Sequence, residues 1–182
     1  MVRTKHFDNK IRAYITAHPC ASVINVGAGL DTTFYRVDNG AIQWYDIDLL
    51  NVIALRKQLL PEPDKVTYIA KSLFDPSWCS DAEHTEHGVF AVSGAVLVYF
   101  EEAQVRTFFS LLADKLPGAE IVFNAYSPSE ISLINKALRS VEVKNATFKW
   151  ALEDAREMTH WDTRIAIIDQ FPYFKGIPRD PA

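Results

Sequence analysis

The fold is decided by VINVGAGLDTTFYR, residues 23–36, in which a β-branched run passes directly into a glycine-rich turn. Buried parallel strands carry such apolar runs, and glycines at the turn let the backbone approach a ligand closely. In open parallel sheets, ligands lie beyond the carboxyl ends of the strands. We therefore expect Gly27, Ala28 and Gly29 to line a ligand site.

Strands and helices alternate along the chain on both sides of this stretch. Apolar runs predict further strands over 41–45, 66–70 and 120–124, and a strand that begins at Val89. Helical spacing of apolar residues predicts helices over 7–17, 49–60, 101–116 and 128–141. This alternation implies an α/β fold of the Rossmann-like, doubly wound type, with a mostly parallel sheet and helices on both faces.

Composition excludes several classes of partner. The net charge of −4 argues against a surface that neutralises nucleic-acid phosphates. No segment approaches the roughly 20 apolar residues that span a bilayer. Cys20 and Cys79 form neither a disulfide framework nor a thiolate metal cluster. We expect a cytoplasmic protein without a nucleic-acid or membrane partner.

The turn after the first strand lacks one feature of dinucleotide-binding proteins. Their fingerprint needs a third glycine, and this chain has Thr32 at that position. Asp31 is expected at the start of the following helix, where a carboxylate competes with a phosphate for the positive end of the helix dipole. A cationic ligand therefore fits better, and a nicotinamide oxidoreductase is the disfavoured alternative.

Two aspartates, Asp46 and Asp48, follow the second predicted strand. Asp48 lies about 20 residues past the first glycine, the separation at which such folds present a carboxylate to a ribose hydroxyl. The alternative is that both residues begin the next helix, with Asp48 as its N-cap. The glycine turn favours the ribose interpretation.

Residues 23–36 resemble the signature of the leucine carboxyl methyltransferase family, including its polyketide O-methyltransferase branch. Other segments agree with that family in the same order along the chain. They are Arg3-Thr4-Lys5 with Asp8 before the opening helix, WYDIDLLNVIALRKQLLPE (44–62), AKSLFDPSW (70–78), AVLVYFEEAQV (95–105) and, more weakly, FKWALEDAREMTHWD (148–162) up to about Phe174.

The resemblance implies S-adenosyl-L-methionine as cofactor and assigns residues to it. Gly27 and the neighbouring backbone of Ala28 and Gly29 would contact the methionine moiety. Asp48 would hold the ribose, and Arg3 would reach the cofactor carboxylate.

The chain departs from the family at two positions on the cofactor side. The family commonly has aspartate where this chain has Ser72, before Leu73, and glutamate where it has Gly94. We include Ser72, Leu73 and Gly94 among the predicted cofactor residues. An unmet polar group on a buried ligand costs on the order of 1–3 kcal/mol. A methyltransferase-like binding or interaction module with impaired catalysis is therefore the alternative function.

We expect one domain over 1–182, with a core at about 20–142. The looser segment over 143–182 is placed on the substrate side, with a possible strand over 164–168 and a Pro-rich, irregular end. Compared with the family, the chain is expected to be truncated at both ends, as a fragment or a decayed paralogue. The sequence does not indicate an oligomeric state.

Catalytic side chains are less evident. Tyr99 is a candidate for a cation–π contact with the sulfonium, and His160 for a general base. His84 and His87 have HxxH spacing, but no further ligands cluster with them, so we predict no metal site. A carboxylate acceptor is already ionised and needs no base. We therefore predict an O-methyltransferase that acts on a small-molecule carboxylate or hydroxyl, the carboxylate being mildly favoured.

Overall fold

A computed structural model describes residues 2–140 and 146–172 and contains one five-stranded sheet. Its strand order is β3-β2-β1-β4-β5, and every neighbouring pair is parallel. The strands are β1 (Ser22–Val26), β2 (Gln43–Asp48), β3 (Val66–Ala70), β4 (Val89–Ser93) and β5 (Glu120–Phe123). The predicted α/β fold is confirmed, and the sheet is wholly parallel.

Helices cover both faces of the sheet. They are α1 (Val2–Ala17), α2 (Phe34–Val37), α3 (Leu50–Leu59), α4 (Trp78–Asp81), α5 (Glu102–Lys115) and α6 (Pro128–Ser140). Alternate residues of β1 enter two separate cores, because successive strand side chains point to opposite faces. Val23 packs in a core with Ile11 of α1 and Ile53 of α3. Ile24 packs in the other, with Phe108 of α5.

Several element boundaries differ from the predictions. β2 continues to Asp48, because its pairing with β1 and β3 extends past Tyr45. α1 begins at Val2, so Arg3 lies in its first turn rather than before it. α2 begins only at Phe34. Asp31 therefore does not start a helix. Its Oδ1 accepts the N–H of Thr33 at 2.5 Å and closes a side-chain turn ahead of the helix.

The possible strand over 164–168 is wrong. The segment opens with a turn, in which the Ile165 N–H donates to the Asp162 carbonyl, and it joins no sheet. Ile165 and Ile167 are half-buried against the α5 core, so their alternation reflects packing without strand pairing. The predicted end of α6 at Val141 and the Pro-rich end lie outside the described residues. Within the described part of the chain, no helix is both long and apolar enough to cross a membrane.

Candidate functional site

The turn after β1 needs glycine for two separate reasons. Gly27 has φ +69°, which L side chains rarely adopt, and a Cβ built on it would lie 2.3 Å from Cγ2 of Val96. Gly29 has φ +51°, but a Cβ there would meet nothing within 4 Å. Gly27 is thus fixed by conformation and packing together, whereas Gly29 is restricted by conformation alone.

Asp48 ends β2 and is bonded directly to this turn. Its Oδ2 accepts the N–H of Gly29 at 2.8 Å, and its Oδ1 accepts the N–H of Leu49 at 2.7 Å. Each carboxylate oxygen has a second lone pair, so the group can still accept hydrogen bonds from two hydroxyls. The N-cap position of α3 is Leu49, with Asp48 still in the strand. The helix-start alternative for Asp48 is therefore wrong.

Asp46 lies inside β2 and is completely buried. Its Oδ1 accepts from Asn25 Nδ2 and from Trp44 Nε1, both at 2.8 Å. Its Oδ2 lies 2.6 Å from Nη2 of Arg56, which is itself buried. Burial raises the pKa of Asp46, while Arg56 and the two hydrogen bonds act in the opposite direction. Sequence analysis missed Arg56, because Asp46 was predicted to follow the strand and not to lie buried within it.

A cavity of about 280 Å³ lies against the glycine turn. Of the predicted cofactor residues, it brings together Arg3, Gly27, Ala28, Gly29 and Gly94. It is also lined by Thr4, Phe7, Asn25, Leu30, Asp31, Thr33 and Val92. Asp48 is outside this lining and joins the site through its hydrogen bond to Gly29.

Arg3 reaches this cavity from α1. Among residues 2–140 and 146–172, its guanidinium has neither a hydrogen-bond partner nor a carboxylate partner. A Cβ at Gly94 would lie 3.2 Å from Cε2 of Phe7 and 3.6 Å from Nε of Arg3. Phe7 and Arg3 thus occupy the space over Gly94. Within the described part of the chain, Arg3 is therefore a cation without a partner beside the turn, which suits an anionic group of a ligand.

Ser72 and Leu73 follow β3 and do not line the cavity. The Ser72 hydroxyl accepts the N–H of Phe74 at 3.3 Å, a contact within its own turn. Leu73 is buried in the core on the α5 side. Both residues follow the strand that pairs with β2, and their role toward a cofactor stays a prediction.

Neither predicted catalytic residue lines the cavity. Tyr99 is 38% exposed, and its ring packs on Phe148 with 5.1 Å between centroids. His160 is exposed at the end of a short 3₁₀ helix, Ala155–His160. His84 and His87 are exposed, and the described residues contain no group of three or more His, Cys, Asp or Glu side chains suited to a metal ion.

A larger cavity of about 780 Å³ runs along β5, the edge strand of the sheet formed by the described residues. It lies between α1, the C-terminal half of α5 and the segment 164–171, and most of its lining is apolar. Arg3 and Phe7 line both cavities, so the two cavities meet at these side chains.

A parallel sheet of this order, with a glycine turn after β1 and a carboxylate at the end of β2, defines a Rossmann-like domain. Two solved structures share the fold. Human N-acetylserotonin methyltransferase, in complex with SAM, has a TM-score of 0.58 at 12% identity and covers 85% of this chain and 44% of its own. LepI, in complex with SAM, has a TM-score of 0.60 at 14% identity, and the match covers 84% of this chain and 40% of LepI.

The chain belongs to the leucine carboxyl methyltransferase family, whose model matches residues 1–113. It is 26% identical over 157 residues to the tetracenomycin polyketide synthesis O-methyltransferase TcmP of Streptomyces glaucescens, covering 86% of this chain and 57% of that protein. It is 28% identical over 159 residues to the S-adenosyl-L-methionine-dependent methyltransferase dpfgK of Gibberella zeae. That match covers 77% of this chain and 51% of dpfgK. The chain thus spans just over half the length of these curated relatives. The predicted family is confirmed.

Proposed function

We propose that the chain is an S-adenosyl-L-methionine-dependent O-methyltransferase that acts on a small-molecule carboxylate or hydroxyl. The observation that carries the proposal is the 2.8 Å hydrogen bond from the Gly29 N–H to Asp48 Oδ2, beside a cavity that Arg3 enters. Family membership and the two methyltransferase relatives support it.

The residues present fit the three parts of this cofactor. The Arg3 guanidinium, which has no partner among the described residues, suits the carboxylate of its methionine moiety, because guanidinium and carboxylate pair in a bidentate geometry. The backbone of Gly27, Ala28 and Gly29 allows close approach, and Asp48 retains lone pairs for the ribose hydroxyls. Leu49, next to Asp48, is 54% exposed and offers apolar surface to the adenine.

The protein's share of the chemistry is to bind and orient. The bound cofactor supplies an activated methyl group, so the chain must align an acceptor oxygen with it and exclude water. A carboxylate acceptor needs no deprotonating side chain. Tyr99 and His160 line neither cavity, whereas His6, Glu120 and Asp169 line the larger one, so both acceptor classes stay within this proposal.

The larger apolar cavity is the proposed location of the acceptor. It adjoins the cofactor cavity at Arg3 and Phe7, and its volume of about 780 Å³ falls in the range of small-molecule sites. No contact among the described residues favours the alternative of an interaction module with impaired catalysis.

Calorimetric titration with S-adenosyl-L-methionine, and in parallel with NAD, tests the proposal. Saturable binding of the former and not of the latter is expected. Incubation with methyl-labelled cofactor and matched pairs of aromatic carboxylic acids and phenols then identifies the acceptor class by the labelled ester or ether. A folded chain that binds no S-adenosyl-L-methionine would contradict the proposal.

A further inference from the structure

A fully buried cation lies directly beneath the cofactor turn. Arg56 of α3 is 2% exposed, and its Nη2 lies 2.6 Å from Oδ2 of the buried Asp46. The guanidinium also lies over the Tyr68 ring, 5.2 Å from its centroid. Burying a cation is costly unless a partner compensates it, so Asp46 is the reason that Arg56 can be placed here.

The same guanidinium bonds the turn itself. Arg56 Nη1 donates to the carbonyl of Gly29 at 3.0 Å, while the N–H of Gly29 donates to Asp48 at 2.8 Å. The N–H of Gly29 is therefore bonded to Asp48 at the end of β2, and its carbonyl is bonded to Arg56 of α3.

No side chain packs on Gly29 in the direction that a Cβ would take. A Cβ at Gly29 would meet no atom within 4 Å, so open space surrounds it on that side. Glycine also has the widest choice of backbone conformations. The turn is closed by the Asp31 N–H, which donates to the Ala28 carbonyl at 2.9 Å, and the two hydrogen bonds of Gly29 itself fix the directions of its N–H and carbonyl within that turn.

Stability alone does not account for the pair. Replacing a buried ion pair by apolar groups of similar size is often neutral for folding, whereas removal of one partner is strongly destabilising. The fork geometry of arginine allows one side chain to bond Asp46 and Gly29 at the same time. Lysine carries its charge at a single point and cannot reproduce that arrangement.

We propose that Arg56 is a positioning residue of the cofactor turn: anchored by Asp46, it holds the Gly29 carbonyl and thereby keeps the Gly29 N–H on Asp48. This inference rests on the proposed function, because it assigns Arg56 to the site that binds S-adenosyl-L-methionine. It involves no contact between Arg56 and the cofactor.

The test separates positioning from folding with paired variants. Arg56→Met removes the guanidinium and leaves the buried Asp46 without its cation. The double variant Arg56→Met/Asp46→Asn removes both charges and keeps an oxygen for Trp44 and Asn25. Ile53→Ala, one turn earlier on α3 and 3% exposed, is the matched control for a loosened helix.

Two readouts are taken: amide hydrogen exchange of the peptide covering 26–31 without cofactor, and the calorimetric Kd for S-adenosyl-L-methionine. Arg56→Met should lower Tm, speed exchange in this peptide about tenfold and raise Kd about tenfold or more. In the double variant, Tm should return most of the way to the wild-type value, while exchange of the 26–31 peptide stays fast and Kd stays high. Ile53→Ala should lower Tm and change neither readout.

The proposal would be overturned if Kd and the exchange rate of the 26–31 peptide returned to wild-type values together with Tm in the double variant. Unchanged exchange of this peptide in Arg56→Met would also overturn it. If Arg56→Met does not fold, Arg56→Lys retains a charge opposite Asp46 and should show near-native Tm with faster exchange at 26–31. Native exchange in Arg56→Lys would count against positioning. Failure of the wild type to bind cofactor refutes the proposed function. The exchange measurement uses the cofactor-free chain, so it tests the positioning role of Arg56 independently of cofactor binding.

Discussion

The backbone N–H of Gly29 donates a 2.8 Å hydrogen bond to Oδ2 of Asp48, and this bond unites the glycine turn of β1 with the carboxylate that ends β2. The two features are distant in sequence but become neighbours because β1 and β2 are parallel and in register, with Val26 opposite Ile47. A ligand that contacts one of them therefore lies within reach of the other.

Substitution of Asp48 should separate its two tasks. Asp48→Asn keeps an oxygen for the Gly29 N–H but loses the charge, while Asp48→Ala loses both. A charge-assisted hydrogen bond contributes about 1.5–3 kcal/mol, so Asp48→Ala should weaken S-adenosyl-L-methionine binding at least about tenfold and Asp48→Asn less. Calorimetry measures both, with the exposed Asp38→Ala as control. Equal, native affinities in all three variants would remove Asp48 from the cofactor site.

The two glycines of the turn should respond differently to alanine. Gly27→Ala combines backbone strain with a contact of 2.3 Å to Val96 and should cost about 2–4 kcal/mol of stability. Gly29→Ala meets open space and should cost about 1 kcal/mol from its φ alone. Denaturant unfolding of both variants checks the order. The added double variant Gly27→Ala/Val96→Ala should recover part of the loss, and its failure to do so would show that Val96 is not the obstacle.

Arg3 should discriminate between ligands with and without the methionine carboxylate. Arg3→Met retains most of the apolar stem and removes the unpaired cation, so S-adenosyl-L-methionine should bind about 10- to 100-fold more weakly. 5′-Methylthioadenosine lacks that carboxylate and should bind wild type and variant alike. An equal loss for both ligands would mean that Arg3 supports the cavity through packing only.

Local sequence patterns account for most of the sheet and for the turn. The apolar run before Gly27 and the long amphipathic helix α5 are local features, and both were predicted to within a few residues. Arg56 could not be recognised in this way, since an arginine in α3 resembles any solvent-facing cation until the fold places it on Asp46. The meeting of Arg3 with Gly94 likewise depends on how α1 packs across β4. Contacts between distant segments are what the periodicity of a sequence leaves undetermined.

The two cysteines should differ sharply in reactivity. Cys20 is exposed, whereas Cys79 is buried in α4, and burial raises the pKa of the Cys79 thiol to about 11. At about pH 8 only on the order of one Cys79 in a thousand is the reactive thiolate. Iodoacetamide followed by peptide mass spectrometry should label Cys20 in the native chain and Cys79 only after unfolding. Rapid native labelling of Cys79 in a Cys20→Ser variant would contradict the burial of α4.

Alkaline pH should destabilise the fold through its buried tyrosines. Burial is the main cause that raises the pKa of Tyr14, Tyr45 and Tyr68 above the ordinary value of 10.0. A group whose pKa is higher in the folded state binds its proton more tightly there. Its stabilising contribution is therefore complete below the unfolded pKa and is lost as pH rises through the folded one.

Tm should accordingly stay constant up to about pH 8, begin to fall as the Cys79 thiol ionises in the unfolded chain, and fall further above about pH 10, where tyrosinate absorbance appears together with unfolding. The raised pKa of Cys79 acts in the same direction, so the informative comparison is wild type with Tyr45→Phe. That variant loses the hydrogen bond from the Tyr45 hydroxyl to the Glu83 carbonyl at 2.8 Å, which should lower Tm at neutral pH. It should also flatten the alkaline decline, because one raised phenol is gone. An equally steep decline in Tyr45→Phe would show that Tyr45 ionises as readily in the folded chain as in the unfolded one.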